Sequence, residues 1–289
     1  NLVRIWGGGY IECDALYEAC NRLGIMVWQE FIQSSSGIDN VPSKQESFLN
    51  QLSETATEAV KRLQTHPALI IYSGGNELCD INGTPSTFSD SNIAMLRDIV
   101  KKYDDRLMLP TSASGPNEFL CIDQPGQNHD VHGPWKYGGV TEHYHLYNCS
   151  DSQLHSEFGV DGMNNMTVFE RYISPEHHRV TCMEEDIVWR HHGEWWDTWH
   201  RDTEIFGAFV PSDLQDFIAC SQYIQGEGLR YALEANRRRA FENCGSIIWQ
   251  YNEPYPNVSG TNLEDYFGKT KMAYQFVKDS FRLRSPSLR

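Results

Sequence analysis

Short apolar, β-branched runs alternate with longer stretches of helical periodicity along this chain. Residues 2–6 read as a strand, followed by Gly7-Gly8-Gly9 and a helix over about 11–22. Leu16, Ala19, Cys20 and Leu23 fall at i, i+3, i+4 and i+7, one face of that helix, and Gly24 stands where a C′ glycine stops it. A strand at 25–28, a loop rich in Ser and Gly, and a long helix over about 44–63 come next, closed by His66-Pro67. Residues 68–72 form the clearest buried strand. A helix at 91–102 leads to a strand at 107–111, and weaker strands are expected at 130–132 and 153–158 around a loop dense in His, Tyr and Gly. Residues 160–215 read as an aromatic, His-rich insertion (Trp189, Trp195, Trp196, Trp199) of no legible periodicity. A strong helix over 217–243, a strand at 246–250 and a helix at 271–281 close the pattern.

Strands alternating with helices predict a parallel sheet with helical crossovers. The seven strand–helix units suit a (β/α)8 TIM barrel better than a doubly wound sheet, with the first barrel strand upstream of this chain. No G-x-G-x-x-G opens a helix after the first strand, so the dinucleotide fingerprint is missing. The whole of 1–289 is then expected to be one barrel domain carrying the 160–215 insertion.

Composition narrows the function. Lys and Arg total 24 against 39 Asp and Glu, a net charge of −15 that would repel a phosphate backbone and excludes nucleic acid as a partner. No apolar run approaches the ~18 residues of a membrane span, so no membrane partner is expected. The eight cysteines are scattered without a C-x-x-C pair, which argues against a thiolate zinc site. Sequons at Asn82, Asn148, Asn165 and Asn257 tilt mildly towards a secreted, periplasmic or lysosomal location. The chain starts at Asn1 already in strand pattern, as a piece of a longer protein would.

Barrel active sites lie at the C-terminal ends of the strands, so the polar residues just after each run are the candidates. Glu77, in Ser-Gly-Gly-Asn-Glu, and Glu157, in His-Ser-Glu-Phe-Gly, end apolar strands among small residues that leave room for a ligand. Two carboxylates on one pocket are what glycoside hydrolysis requires. Trp6, Trp135 and Trp249 are candidate stacking walls for a sugar, with core packing as the alternative. His143-Tyr144-His145 and His191-His192 read as solvent-facing or substrate-contacting loop histidines, and neither a metal nor another cofactor is expected.

Arg4-Ile5-Trp6-Gly7-Gly8-Gly9, Leu16-Tyr17-Glu18-Ala19-Cys20 and the run from Leu23 through Gln29-Glu30-Phe31 resemble the catalytic barrel of glycoside hydrolase family 2, and within it the β-mannosidase branch. His66-Pro67-Ala68 through Gly74-Gly75-Asn76-Glu77 is similar to the acid/base segment at barrel strand 4, and Ser156-Glu157-Phe158-Gly159 to the nucleophile segment at strand 7. Gln222-Tyr223-Ile224-Gln225 and Trp249-Gln250-Tyr251-Asn252 resemble the last helix and strand 8. The resemblance implies a retaining exo-β-glycosidase with Glu77 as acid/base, its pKa pushed up by the charge of Glu157, and Glu157 as nucleophile. It implies a carbohydrate substrate held by Arg4, Trp6, Glu30, Asn76, His132 (with Tyr137 its competitor), Trp135, Trp249 and Asn252, and contacts with β-sandwich domains upstream. The alternatives are a family 2 enzyme for a galactoside, glucuronide or glucosaminide, and a non-catalytic carbohydrate-binding barrel. Three places depart from the family pattern and bear on the choice of sugar: Glu30, where Asp is commoner; Glu253-Pro254 after the last strand; and the Ser34-Ser35-Ser36-Gly37 loop, which lacks aromatic character.

Overall fold

The computed structural model describes residues 1–35, 39–193 and 198–282; Ser36, Gly37, Trp195 and Trp196 lie outside them. The chain divides into two compact units, residues 1–132 with 152–156, and residues 133–151 with 157–289.

The first unit is a regular strand–helix alternation. Strands β1 (Leu2–Ile5), β2 (Met26–Glu30), β3 (Leu69–Ser73) and β4 (Leu107–Leu109) pair in that order, and all three pairings are parallel. Between them run α1 (Asp14–Leu23), α2 (Glu46–Leu63) and α3 (Ser91–Tyr103). Their apolar faces close one core with Val27, Phe31, Leu69 and Tyr72 of the sheet. The α1 face differs from the expected one: Tyr17 and Cys20 are buried, whereas Leu23, in the last turn, is 72% exposed. Gly24 ends the helix at φ 67°, donating its N–H to the Cys20 carbonyl, as its position in the sequence predicts. Strand β5 (Asp130–His132) follows. The N–H of Leu154, opening β6 (Leu154–Phe158), donates to His129 at 2.7 Å.

The second unit holds two surprises. The His- and Tyr-rich stretch between β5 and β6 is no loop but helix α4 (Gly139–Cys149). Its inward face is built of His143 and Tyr147, so an apolar periodicity never shows. The described residues of the 160–215 segment also form regular elements: β7 (Gly162–Met163), α5 (Met166–Tyr172), α6 (Ile187–His191) and α7 (Thr198–Phe206). Helices this short present too few turns for a pattern to be read. Trp189 anchors them, 2% exposed, with its indole N–H on the His177 carbonyl at 3.1 Å.

The long helix α8 (Leu214–Arg238) starts three residues before its expected position because Asp213 caps the Gln215 and Asp216 N–H groups. It also stops earlier than expected, ahead of Phe241 at φ 79°. Strands β8 (Gly245–Ile248) and β9 (Ser259–Gly260) and helix α9 (Met272–Ser280) complete the unit. β9 pairs antiparallel with β7. The buried Lys271 ammonium ties that pair, donating to Gly162 at 2.9 Å and Gly260 at 3.0 Å. Among the described residues no helix is long and apolar enough to cross a membrane.

Candidate active site

Parallel pairing puts the C-terminal ends of β1–β4 along one edge of the sheet, where the apolar runs give way to polar residues. Arg4 of β1 and Glu30 of β2 form a buried ion pair at 3.1 Å. Glu30 is wholly buried, and protein donors occupy both its oxygens: Oε1 accepts from Arg4 and Ser73, Oε2 from the Gly7 N–H at 2.8 Å. Burial pushes its carboxyl above the ordinary range despite the Arg4 guanidinium. Arg4 also donates to the Asn76 Oδ1, and the Asn76 amide reaches the Ser34 and Ser35 hydroxyls at 3.3 and 3.4 Å. Trp6 is half-buried, its indole over Gly8, where a Cβ would lie 2.1 Å from the ring.

The loop leaving β3 is pinned on both sides. Asn76 N–H donates to Gln33 at 3.0 Å, Glu77 N–H to Ser112 at 2.5 Å, and Leu78 N–H to the Thr111 hydroxyl at 2.9 Å. Gly75, at φ 154°, lies so close to this seam that a Cβ would meet the Gln33 carbonyl at 2.5 Å. Glu77 itself takes φ 51°, uncommon for a residue with a side chain and held here by those bonds. Its Oε2 accepts from the Ser35 hydroxyl at 2.8 Å, and its Oε1 meets His132 Nδ1 at 3.0 Å.

Behind His132 runs a chain of hydroxyls. Nε2 lies 2.9 Å from the Ser112 hydroxyl, which reaches Ser156 at 3.4 Å, and Ser156 donates to Asp130. Asp130 is fixed in turn by the Ser114 N–H at 2.7 Å and its hydroxyl at 2.8 Å. Burial works to raise the Glu77 pKa, but His132, the Ser35 hydroxyl and Arg4 outweigh it. The carboxyl therefore lies below its ordinary value, opposite to the raised pKa expected of the acid.

In the second unit Glu157, 5% exposed, accepts the Trp135 indole N–H on Oε1 at 3.1 Å. Its carbonyl accepts from Gly133 at 2.7 Å, and Trp249 N–H donates to Phe158 at 2.7 Å, so both tryptophans are carried on segments bonded to this strand. Gly159 permits the approach, since a Cβ there would lie 2.3 Å from the Trp249 carbonyl. Tyr137 is buried against His143 and packs in the interior. Asn252 is exposed, and its backbone bridges to Glu264.

The histidine pairs are engaged by the protein. His143 meets the Gly228 carbonyl at 3.0 Å and, 2% exposed in α4, is not a loop residue; burial drops its pKa to about 4. His145 meets the Cys149 thiol at 3.5 Å, His191 the Tyr255 hydroxyl at 2.9 Å, and His192 the Pro256 carbonyl at 2.8 Å. Several members of the Glu77 network escaped the sequence reading: Ser35, Asp130, Ser156 and the half-buried Glu118. His132 and Ser112, each at or just past the end of an expected strand, were visible by position.

The chain resembles known proteins. Residues 9–195 match the family model of the glycosyl hydrolases family 2, TIM barrel domain. Beta-mannosidase B of Aspergillus terreus is 26% identical over 96% of this chain, and that of Thermothelomyces thermophilus is also 26% identical. The chain spans about a third of the length of these curated relatives, 34% and 35%. The crystal structure of a beta-D-mannosidase from Dictyoglomus thermophilum superposes on 98% of the chain with a TM-score of 0.78 at 28% identity, using 34% of its own length. The exo-chitosanase CsxA of Amycolatopsis orientalis, 19% identical at a TM-score of 0.68, shares the fold over 97% of this chain and 33% of its own. The expected (β/α)8 architecture is that of the matched domain, and the chain belongs to glycosyl hydrolase family 2, within its TIM barrel domain.

Proposed function

We propose that this chain is the catalytic barrel of a retaining exo-β-glycosidase acting on β-mannosides, with Glu77 as acid/base and Glu157 as nucleophile. The single observation that carries the reading is the likeness to a β-mannosidase structure over nearly the whole chain, at 28% identity. The fixed strand-end carboxylates supply the chemistry it needs. In the first step a Glu157 oxygen bonds to C1 of the sugar, the bond from C1 to the leaving oxygen breaks, and that oxygen takes a proton from Glu77. In the second, water bonds to C1, the ester to Glu157 breaks, and Glu77 receives the water proton.

The hydroxyl chain bears on how Glu77 can be an acid although its neighbours favour the charged form. Asp130 accepts from Ser114 and from Ser156; with that hydroxyl committed, Ser112 donates to Ser156 and the His132 Nε2–H donates to Ser112. Nδ1 then faces Glu77 across 3.0 Å, and whichever of the two groups holds a proton there donates it to the other. In this reading Asn76, oriented by Arg4, binds a sugar hydroxyl, and Trp6, Trp135 and Trp249 are the proposed stacking residues. The barrel reading takes residues 1–289 as one domain, with a first strand and β-sandwich domains elsewhere in a longer protein.

The test is kinetic, on the complete protein with a panel of aryl β-glycosides. Glu157→Gln is expected to lower kcat by roughly 10⁴-fold or more. Glu77→Ala is expected to cost far more on a β-linked disaccharide than on an activated aryl mannoside, whose leaving group needs no proton. Equal losses on the two substrates would remove Glu77 from the acid role, and preference for another sugar in the panel would replace the mannoside.

A further inference from the structure

Three polar side chains stand behind His132, each on its own segment: Ser112 past the end of β4, Asp130 at the start of β5, and Ser156 on β6. His132, Ser112 and Ser156 are wholly buried and Asp130 is 5% exposed, so their protons go to protein partners rather than to bulk water. Asp130 accepts on both oxygens. Its Oδ2 takes the Ser114 N–H and hydroxyl at 2.7 and 2.8 Å, and its Oδ1 takes the Ser156 hydroxyl. The one proton of Ser156 is thereby committed, and the Ser156 oxygen is left to accept.

Ser112 also has a single hydroxyl proton, and two acceptors lie within its reach: the Ser156 oxygen at 3.4 Å and His132 Nε2 at 2.9 Å. Its direction fixes the tautomer of the imidazole. When Ser112 donates to Ser156, Nε2 carries a hydrogen and donates to Ser112, so both contacts are hydrogen bonds. When Ser112 donates to Nε2 instead, the Ser156 oxygen loses that donor, and the neutral ring carries its hydrogen on Nδ1, facing Glu77 Oε1 at 3.0 Å. The two arrangements differ in how firmly the Glu77–His132 pair keeps its last exchangeable proton. In the first, losing it sets an Nδ1 lone pair against a carboxylate oxygen. In the second, losing it leaves an Nδ1–H bonded to ionised Glu77, which makes the loss easier.

We propose that Ser156 is a positioning residue for the acid: by taking the Ser112 proton it keeps the hydrogen of His132 on Nε2, and so retains between Nδ1 and Glu77 the proton that the leaving oxygen takes. This role deepens the reading of Glu77 as the acid and rests on it. Although burial raises the Glu77 carboxyl, His132, Ser35 and Arg4 hold it below its ordinary value, and a pair that stores the proton jointly supplies it all the same. The other titratable groups around the pair are Arg4 on β1, Glu30 on β2, Cys79 beyond Glu77, and Glu118, whose carboxyl burial and the Glu77 charge lift to about 7. Among the described residues the Ser112 and Ser156 hydroxyls bond to none of these four, so removing either hydroxyl leaves their charges in place.

The experiment is the pH profile of kcat/KM on β-linked mannobiose, for the complete protein and its Ser156→Ala, Ser112→Ala and doubly substituted variants. The basic limb of that profile reports loss of the acid's proton in the free enzyme. In Ser156→Ala the Ser112 proton turns to Nε2, and the limb is expected to move down by about one pH unit. Ser112→Ala removes the acceptor of the Nε2–H and is expected to move the limb the same way. Ser156 acts only through Ser112, so the double variant is expected to shift no further than Ser112→Ala alone. Thermal melts establish which variants are folded, and where one serine variant is not, the limb of the other decides. A limb that stays put or rises, whatever the fall in activity, overturns the proposal, as does a double variant in which the two shifts add. Glu77→Ala on p-nitrophenyl β-mannoside separates this failure from that of the acid reading. Its profile is expected to lose the basic limb; a limb that persists belongs to another group, and the acid reading falls with this inference.

Discussion

The two units bury polarity in different ways. In the first, the space between sheet and helices is filled by side chains such as Tyr17, Leu52, Leu63 and Leu96, and Glu30, Asn76, Ser112 and His132 gather at or just beyond strand ends. There, the buried polar groups at the strand ends mark the candidate site, while others such as Asn92 and Asn128 only satisfy nearby loops. In the second unit an apolar cluster around Met163, Phe169, Trp189 and Phe217 is interleaved with polar supports. Arg201 pairs with Asp161 and Asp202, Asn164 bridges both oxygens of Glu253 at 3.1 Å, and the wholly buried Gln225 points its amide at the Val160, Thr261 and Asn262 carbonyls. There, most buried polarity takes the place of regular strand pairing, because β7 and β9 are only two residues each. Burial of a polar residue is thus a sign of function only where the surrounding backbone is already satisfied.

The comparison can be broken by mutation. Leu63→Ala, in the apolar core of the first unit, is expected to cost about 2–5 kcal/mol in chemical denaturation. Gln225→Leu preserves volume but strands several carbonyls, and a loss of about 1–3 kcal/mol is expected. A neutral Gln225→Leu would mean that the second unit is held by apolar packing after all.

The finest test is pH. Burial lifts the Glu253 carboxyl from its ordinary 4.5 to about 7, although Lys271 and Asn164 oppose the shift. Over that window the native state keeps a proton that the unfolded chain has released. This contribution to stability is complete below about pH 4.5 and is lost as pH rises through about 7. Glu253→Gln should flatten that part of the stability profile. A profile as steep as that of the parent protein would assign the titration to another group, Glu118 or Asp202 among them.

Much of the first unit was legible in advance because its strands are unbroken apolar runs and its helices are long enough to show a stripe. Glu77 and Glu157 were legible as carboxylates closing such runs among Gly and Ser. The assembly of one network around Glu77 was not. Ser35 and His132 meet the Glu77 carboxylate, and Ser112 accepts the Glu77 N–H and backs His132, from three separate segments that no local spacing connects. Helix α4 was missed because histidine and tyrosine occupy its buried face, and the 160–215 helices because each makes only one to three turns.

The sequence by itself determined the alternation of strand and helix, the acidic charge and the two candidate carboxylates, since each is written in residues adjacent along the chain. Only the tertiary structure decided that the Glu77 carboxyl lies below its ordinary pKa, that Glu30 is spent on Arg4, Gly7 and Ser73, and that Ser35 and His132 meet the two Glu77 oxygens. Charge state and hydrogen-bond supply depend on burial and on which distant donors arrive, and folding alone sets both.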